Sequence, residues 1–144
     1  MVAFLLQKKN SKEKNFDFVV NGMCEISENE NPNNINIPKV LVNKDDLLIY
    51  MSRLSIPGIK SDKPDNKPKY LKQVCIYGFN KKDLKLFGET SKKAIYENFE
   101  DIEILRFFDL EIPIKMVTTS GSSLAVDVPD DIIKVEQEIL KLKK

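Results

Sequence analysis

The sequence predicts an α/β fold, because segments typical of buried strands occur together with segments typical of amphipathic helices. Three apolar, β-rich stretches indicate strands: NFDFVVNGMCEI (15–26), KVLVNKDDLLIYMSR (39–53) and LKQVCIYGF (71–79). The segment from Pro129 onwards indicates a helix, since apolar residues recur along it every three or four positions. With 144 residues, of which 42% are hydrophobic, the chain can bury one core, and we expect a single domain over 1–144.

The amino-terminal part predicts strands joined by a polar loop. Residues 2–13 are compatible with a short helix, and 15–26 with a buried strand. The stretch 27–38 is rich in Asn, Glu and Pro and predicts a loop. Segment 39–53 contains two apolar runs around the polar turn NKDD, which predicts a β-hairpin.

The second part predicts helices between strands. After the strand at 71–79, Asn80 is suited to cap a helix that ends near Gly88. A second helix is predicted around 99–110, followed by a strand at 112–118.

The last helix has the clearest signals at both ends. Pro129 suits the first helical position, Asp130 and Asp131 follow it, and lysines occupy the last turn, as the helix dipole favours. Its apolar residues form a stripe that we expect to face the core: Ile132, Val135, Ile139 and Leu142.

Composition excludes several classes of function. The net charge of +1 gives no overall field that would attract nucleic acid or an anionic membrane. Apolar runs are too short to span a bilayer and the start lacks a secretory pattern, so we expect a cytoplasmic location. Histidine is absent, which leaves a hard cation such as magnesium, held by carboxylates, as the metal to consider. Cys24 and Cys75 lack CxxC spacing and are interpreted as reduced core thiols.

Asp127 lies at the end of a strand-like run, directly before the last helix. Val128 cannot cap that helix, so the Asp127 carboxylate could serve the positive helix end. A carboxylate between a strand and a helix is also placed where open α/β sheets bind ligands. The sequence leaves both interpretations open.

Two further features have a surface interpretation and a site interpretation. An otherwise apolar predicted helix carries a charged residue at every third position: Glu100, Glu103, Arg106 and Asp109. This line could be exposed, with a Glu103–Arg106 pair, or could face a cleft. Arg53 follows a strand and is either a surface arginine or a partner for a carboxylate or phosphate. The loop at 57–69 contains four lysines, and a fifth follows it. These lysines are either solvated or guide an anion: Lys60, Lys63, Lys67, Lys69 and Lys72.

Four segments occur in an order and spacing that resemble a known family: IYMSRLSIPG, KQVCIYGF, EDIEILRF and SLAVDVPDDIIKV. They resemble the carboxyl-terminal portion of the 3-deoxy-manno-octulosonate (CMP-Kdo synthetase) and acylneuraminate cytidylyltransferases, over roughly 32–143. The resemblance implies part of a nucleotide-diphospho-sugar-transferase-like, Rossmann-like mixed sheet with flanking helices and a hairpin used in dimerisation. It also implies activation of an acidic sugar for the cell surface, such as lipopolysaccharide sugars, by joining its anomeric hydroxyl to the α-phosphorus of CTP.

The resemblance also implies roles for single residues. Asp127 matches a magnesium ligand of the family. Four residues match positions that line or border the acidic-sugar pocket: Arg53, Gln73, Tyr77 and Glu103. CTP, the acidic sugar and a second copy of the chain in a homodimer are the implied partners.

The sequence departs from the family in several places. Gln73 replaces the usual histidine and Ile104 the usual glutamine, so a related acidic sugar is as compatible as Kdo. No two of the five glycines are spaced to form a phosphate-binding loop. We therefore expect the chain to be incomplete alone and to need a separate amino-terminal half. The alternative is a non-catalytic dimerisation or binding module derived from the family.

Overall fold

Five strands form one mixed sheet in the computed structural model, which describes residues 18–60, 68–119 and 129–142. The strands are β1 (Val19–Glu25), β2 (Lys39–Val42), β3 (Leu48–Ser52), β4 (Leu71–Gly78) and β5 (Ile114–Thr118). Their order across the sheet is β3-β2-β4-β1-β5. Only the β1–β5 pair is parallel, while β1–β4, β2–β4 and β2–β3 are antiparallel. The strands predicted within the described residues up to 119, and the hairpin, are therefore confirmed, whereas the strand-like run before Asp127 lies outside the described residues.

Helices follow the fourth and fifth strands. They are α1 (Lys81–Glu89), α2 (Ile95–Glu100), a 3-10 turn (Glu103–Leu105), α3 (Arg106–Asp109) and α4 (Pro129–Leu142). In the described parts of the chain, no helix is long and apolar enough to cross a membrane. The mixed sheet with flanking helices agrees with the predicted α/β fold.

Polar side chains stabilise the predicted hairpin turn and the predicted start of α1. The Asn43 Oδ1 atom accepts hydrogen bonds from the backbone N–H groups of Asp45 and Leu47, both at 2.9 Å, and so closes the hairpin. Asn80 caps α1 as predicted, because its Oδ1 accepts from the Asp83 N–H at 2.7 Å.

The core lies between the sheet and the segment that runs from α2 to β5. Its buried members are Val19, Met23, Val40, Leu48, Met51, Ile102, Ile104, Leu105, Phe107, Ile114 and Met116. Because Ile102, directly before the 3-10 turn, and three residues of the turn and α3 belong to this core, the short irregular segment is anchored to the sheet.

The continuous helix predicted around 99–110 is wrong. The chain leaves the helix at Asp101, whose φ of 51° is left-handed, and Ile102 is extended. Burial of Ile102 at 2% exposure favours this break, since the turn brings its side chain into the core. The break also frees the carbonyl oxygens of Glu100 and Asp101 from helical hydrogen bonding.

Two predictions about burial are also wrong. Ile132 and Ile139 of α4 are 49% and 47% exposed rather than packed in the core. An amphipathic pattern identifies an apolar face, but other parts of a protein decide what covers it. Cys24 is buried, whereas Cys75 is exposed, so only one of the two cysteines belongs to the core. The helix predicted at 2–13 lies outside the described residues.

Candidate functional site

A cavity of about 560 Å³ opens beside β4. One wall is β4 itself, and the opposite side is formed by the loop before β2, the end of β3 and the break after α2. Four residues predicted to lie near a sugar line this one cavity: Arg53, Gln73, Tyr77 and Glu103. Residues far apart in sequence are therefore brought together.

The Arg53 guanidinium is oriented by backbone carbonyl groups. Its Nε donates to the Glu100 carbonyl, Nη1 to the Ile35 carbonyl at 3.1 Å, and Nη2 to the Asp101 carbonyl at 3.0 Å. The carbonyl oxygens of Glu100 and Asp101 are available as acceptors because the helix ends before Ile102. Within the described chain, no carboxylate forms an ion pair with Arg53. The orientation of the guanidinium group is therefore fixed, but no carboxylate among the described residues balances its charge. Two of its five N–H donors remain for a ligand.

The backbone of Arg53 is held from two sides. The Glu100 Oε2 atom accepts from the Arg53 N–H at 2.8 Å. Lys39, which is fully buried, donates from its Nζ to the carbonyl groups of Asn34, Ile37 and Arg53. Burial lowers the pKa of Lys39, and the nearby Arg53 charge adds to that lowering. Sequence reasoning missed Lys39, although a lysine at the start of an apolar strand is an unusual placement.

Gln73 and Tyr77 form a second polar point in the cavity. The Gln73 Nε2 group donates to the Tyr77 hydroxyl at 2.9 Å and to the Asn21 Oδ1 at 3.2 Å. Burial raises the pKa of Tyr77 to about 12. Asn21 is fully buried and was not predicted to contribute, despite being the polar residue in the run FVVNGMC.

Glu103 lines the cavity and is exposed there. The predicted Glu103–Arg106 pair is wrong, because Arg106 forms its ion pair with Glu97. Arg106 Nε and Nη2 each bond to one oxygen of that carboxylate, at 2.7 and 2.5 Å. The cavity interpretation of Glu103, rather than the exposed line with its pair, therefore agrees with the geometry.

Lys72 is not part of a solvated lysine loop, as one interpretation of the sequence suggested. It is a buried residue of β4 and forms an ion pair with Glu30, on the cavity wall. Glu30 also accepts from the Ser27 N–H at 3.0 Å and from the Ser27 hydroxyl at 2.9 Å. These contacts hold the loop at 27–38 against the sheet. Lys63 and Lys67 lie outside the described residues.

The predicted metal ligand, Asp127, also lies outside the described residues. Across 18–60, 68–119 and 129–142, no three Asp, Glu or Cys side chains are grouped so that they could hold a metal ion. Asp101, on the cavity wall, is paired with Lys93 at 3.1 Å. The described carboxylates therefore do not form a magnesium site by themselves.

Comparisons with known proteins agree with this arrangement. A family model described as cytidylyltransferase matches residues 3–115. The 3-deoxy-manno-octulosonate cytidylyltransferase of Chloroherpeton thalassium is 33% identical over 126 residues, which are 88% of this chain and 48% of that protein. The enzyme of the same name from Christiangramia forsetii is 37% identical over 107 residues, covering 74% of this chain and 41% of that protein.

A solved structure shows the same fold. The structure of CMP:2-keto-3-deoxy-manno-octonic acid synthetase complexed with CTP has a TM-score of 0.74 and 26% identity. The match covers 97% of this chain and 55% of that one. The chain thus spans about half the length of the relatives it matches. The family match and the shared fold together show that this chain belongs to the cytidylyltransferase family.

Proposed function

We propose that the chain binds an acidic sugar of the Kdo type for a cytidylyltransferase that joins CMP from CTP to that sugar. The matched relatives carry the name of this activity, and the chain spans about half their length. CTP, the sugar and the complete reaction are therefore part of the proposal. A cavity of about 560 Å³ falls in the usual range for small-molecule sites.

The observation that carries the proposal is the state of Arg53. Its guanidinium lies on the cavity wall, is oriented by three carbonyl groups and has no carboxylate partner among the described residues. A planar cation with two free donors suits the carboxylate of a sugar acid, which can accept two parallel hydrogen bonds. Gln73, Tyr77 and Glu103 offer neutral and acidic groups for sugar hydroxyls.

Magnesium and Asp127 are proposed as a pair. When bound, magnesium would stabilise the charge of the CTP phosphates and help orient them. This rests on the matched segment around Asp127, since the described carboxylates supply no complete set of ligands. Pairing of two chains through the hairpin at 39–53 and a cytoplasmic location remain predictions.

Sugar binding is tested by calorimetric titration with Kdo, with N-acetylneuraminate as a second sugar acid. We expect Arg53→Met to weaken binding about 100-fold, because a charged hydrogen-bonded pair is lost. Lys85→Met is a matched control, since it removes an exposed positive charge on α1, away from the cavity. Equal affinity of the wild-type chain and Arg53→Met would overturn the proposed role of the cavity.

Catalysis is tested separately through pyrophosphate release from CTP and Kdo. The chain is assayed alone and with the amino-terminal half of a relative, with and without magnesium. We expect Asp127→Asn to abolish turnover while Kdo binding persists. Unchanged turnover in Asp127→Asn would contradict the metal assignment and leave the sugar site standing. Binding of sugar acids without turnover under any condition would favour a binding module.

A further inference from the structure

We infer that Asn21 is a positioning residue that leaves only the carbonyl oxygen of Gln73 available to the cavity. Gln73 would then accept a hydrogen bond from a hydroxyl or amide N–H of the ligand and could not donate one. The inference rests on the proposed function only in taking the cavity as the ligand site.

Asn21 lies at an irregularity between β1 and β4. Asn21 pairs with Tyr77, but the next residue, Gly22, pairs with Val74, so two residues of β4 bulge out of the ladder. The Asn21 Nδ2 group donates to the Val74 and Ile76 carbonyls, both at 3.0 Å. The side chain thus supplies hydrogen bonds that the interrupted ladder cannot make.

This contact fixes the orientation of the Asn21 amide. Carbonyl oxygens only accept hydrogen bonds, so the group facing Val74 and Ile76 must be the NH₂ of Asn21. Its Oδ1 therefore faces Gln73. A flipped Asn21 would place an oxygen against two carbonyl oxygens in a fully buried position.

The orientation of Asn21 in turn fixes Gln73. Because Asn21 Oδ1 can only accept, the Gln73 group beside it at 3.2 Å must be the NH₂. The second N–H of that group serves the Tyr77 hydroxyl at 2.9 Å. Both donors of Gln73 are used, and among the described residues no donor reaches its Oε1.

The consequence is a preference for one kind of ligand group. A hydroxyl that donates to Gln73 Oε1 satisfies it, whereas a keto oxygen or a methyl ether at the same point cannot. A neutral hydrogen bond that is lost or left unmade costs about tenfold in affinity. Gln73 therefore discriminates between sugar acids that differ at a single hydroxyl.

The first test needs no ligand. Side-chain amide exchange is measured by ¹⁵N NMR, with Gln73→Met to assign the signal and the exposed Gln137 as internal reference. We expect the Gln73 amide protons to exchange about fivefold or more slowly than those of Gln137, and Asn21→Ala to remove much of that protection. Equal exchange at Gln73 and Gln137 would overturn the positioning role, even if the sugar site is correct.

The second test uses Kdo and its mono-deoxy and mono-O-methyl analogues. We expect one hydroxyl whose deletion weakens binding to wild type about tenfold but has little effect in Gln73→Met or Asn21→Ala. The inference is overturned if all analogues bind Gln73→Met and wild type in the same proportion. Failure of every sugar acid to bind would refute the proposed function, while amide exchange would still decide the positioning of Gln73.

Discussion

The chain contains two arginines, and their surroundings differ in one decisive respect. Arg106 forms a two-point ion pair with Glu97 and lies over the Phe87 ring, with its guanidinium carbon 4.0 Å from the ring centre. The Arg53 side chain makes three hydrogen bonds, against four for Arg106, and all three of its acceptors are neutral carbonyl groups. The charge of Arg106 is balanced by a carboxylate, whereas the charge of Arg53 is not balanced by any described carboxylate.

This difference distinguishes a structural cation from the one that we propose to bind a ligand. Glu97 is 1% exposed and also accepts the Ala94 N–H at 2.9 Å, so the Arg106 pair closes α2 against the core. Arg53 borders the cavity, where an anion would complete its coordination. We therefore expect changes at Arg106 to affect folding and changes at Arg53 to affect binding.

The largest expected effect is the loss of stability on breaking the Arg106 pair. Arg106→Leu leaves the Glu97 carboxylate buried without its counter-ion, which should lower the free energy of unfolding by about 3–5 kcal/mol. Arg53→Leu should cost only about 1 kcal/mol, because two of its three hydrogen bonds are exposed and their acceptors can bond to water instead. Urea unfolding of the two variants measures both values. A similar decrease in the free energy of unfolding in both variants would contradict the proposed difference between the two arginines.

The same pair predicts how stability depends on pH. Hydrogen bonds from Arg106 hold the pKa of Glu97 below its usual value of 4.5. A lowered folded-state pKa means that this stabilisation is present above about 4.5 and is lost as pH falls through the lower folded value. Glu30, whose bonds to Lys72 and Ser27 outweigh the effect of burial, has a lowered pKa and contributes in the same direction.

Unfolding measured between pH 7 and pH 3 checks this dependence. Arg106→Leu should lose less stability than wild type as the pH falls, because the pKa of Glu97 is no longer lowered by Arg106. The lowered pKa of Glu30 remains and accounts for the rest of the acid dependence. An acid dependence in Arg106→Leu that equals or exceeds that of wild type would contradict the assignment to the pair.

A smaller effect is expected when Arg53 keeps its charge but loses its shape. Arg53→Lys retains a cation, yet a lysine cannot bond to three separated carbonyl groups and still offer two further donors to a ligand. Kdo affinity should fall about tenfold, between wild type and Arg53→Met. Calorimetric titration checks this order. An Arg53→Lys variant that binds as tightly as wild type would show that charge alone is recognised.

The two cysteines offer the mildest probe of the cavity. Cys75 is exposed on the cavity wall, whereas Cys24 is buried and burial raises the pKa of its thiol. A maleimide should therefore modify Cys75 first, and saturating Kdo should slow that reaction severalfold. Mass spectrometry after timed labelling distinguishes the two sites. Labelling of Cys75 that Kdo does not affect would place the sugar elsewhere.

Sequence patterns were sufficient for most of the fold. Strand signals, the Asn80 cap and the hairpin were readable because they depend on neighbouring residues. The helix break at Asp101 was not readable, since an apolar run with helical spacing does not reveal that Ile102 must enter the core. That break creates two of the carbonyl acceptors for Arg53, so the error in secondary structure concealed part of the site.

The candidate site was predictable only in part for a similar reason. Arg53, Gln73, Tyr77 and Glu103 were identified through a family resemblance, and the fold brings them to one cavity. Lys39 and Asn21 were missed, because their role depends on backbone carbonyl groups that meet only in the folded chain. Sequence spacing carries no information about such contacts.

The central claim is that Arg53, and not Arg106, binds the carboxylate of a sugar acid. With only two arginines, the ¹⁵N NMR spectrum of the side chains contains two Nε signals, which Arg53→Lys assigns. Titration with Kdo should shift the Arg53 signal and leave that of Arg106 in place, and the Kdo methyl ester should produce a much weaker response. A shift confined to Arg106, or an equal response to the acid and its ester, would contradict the account.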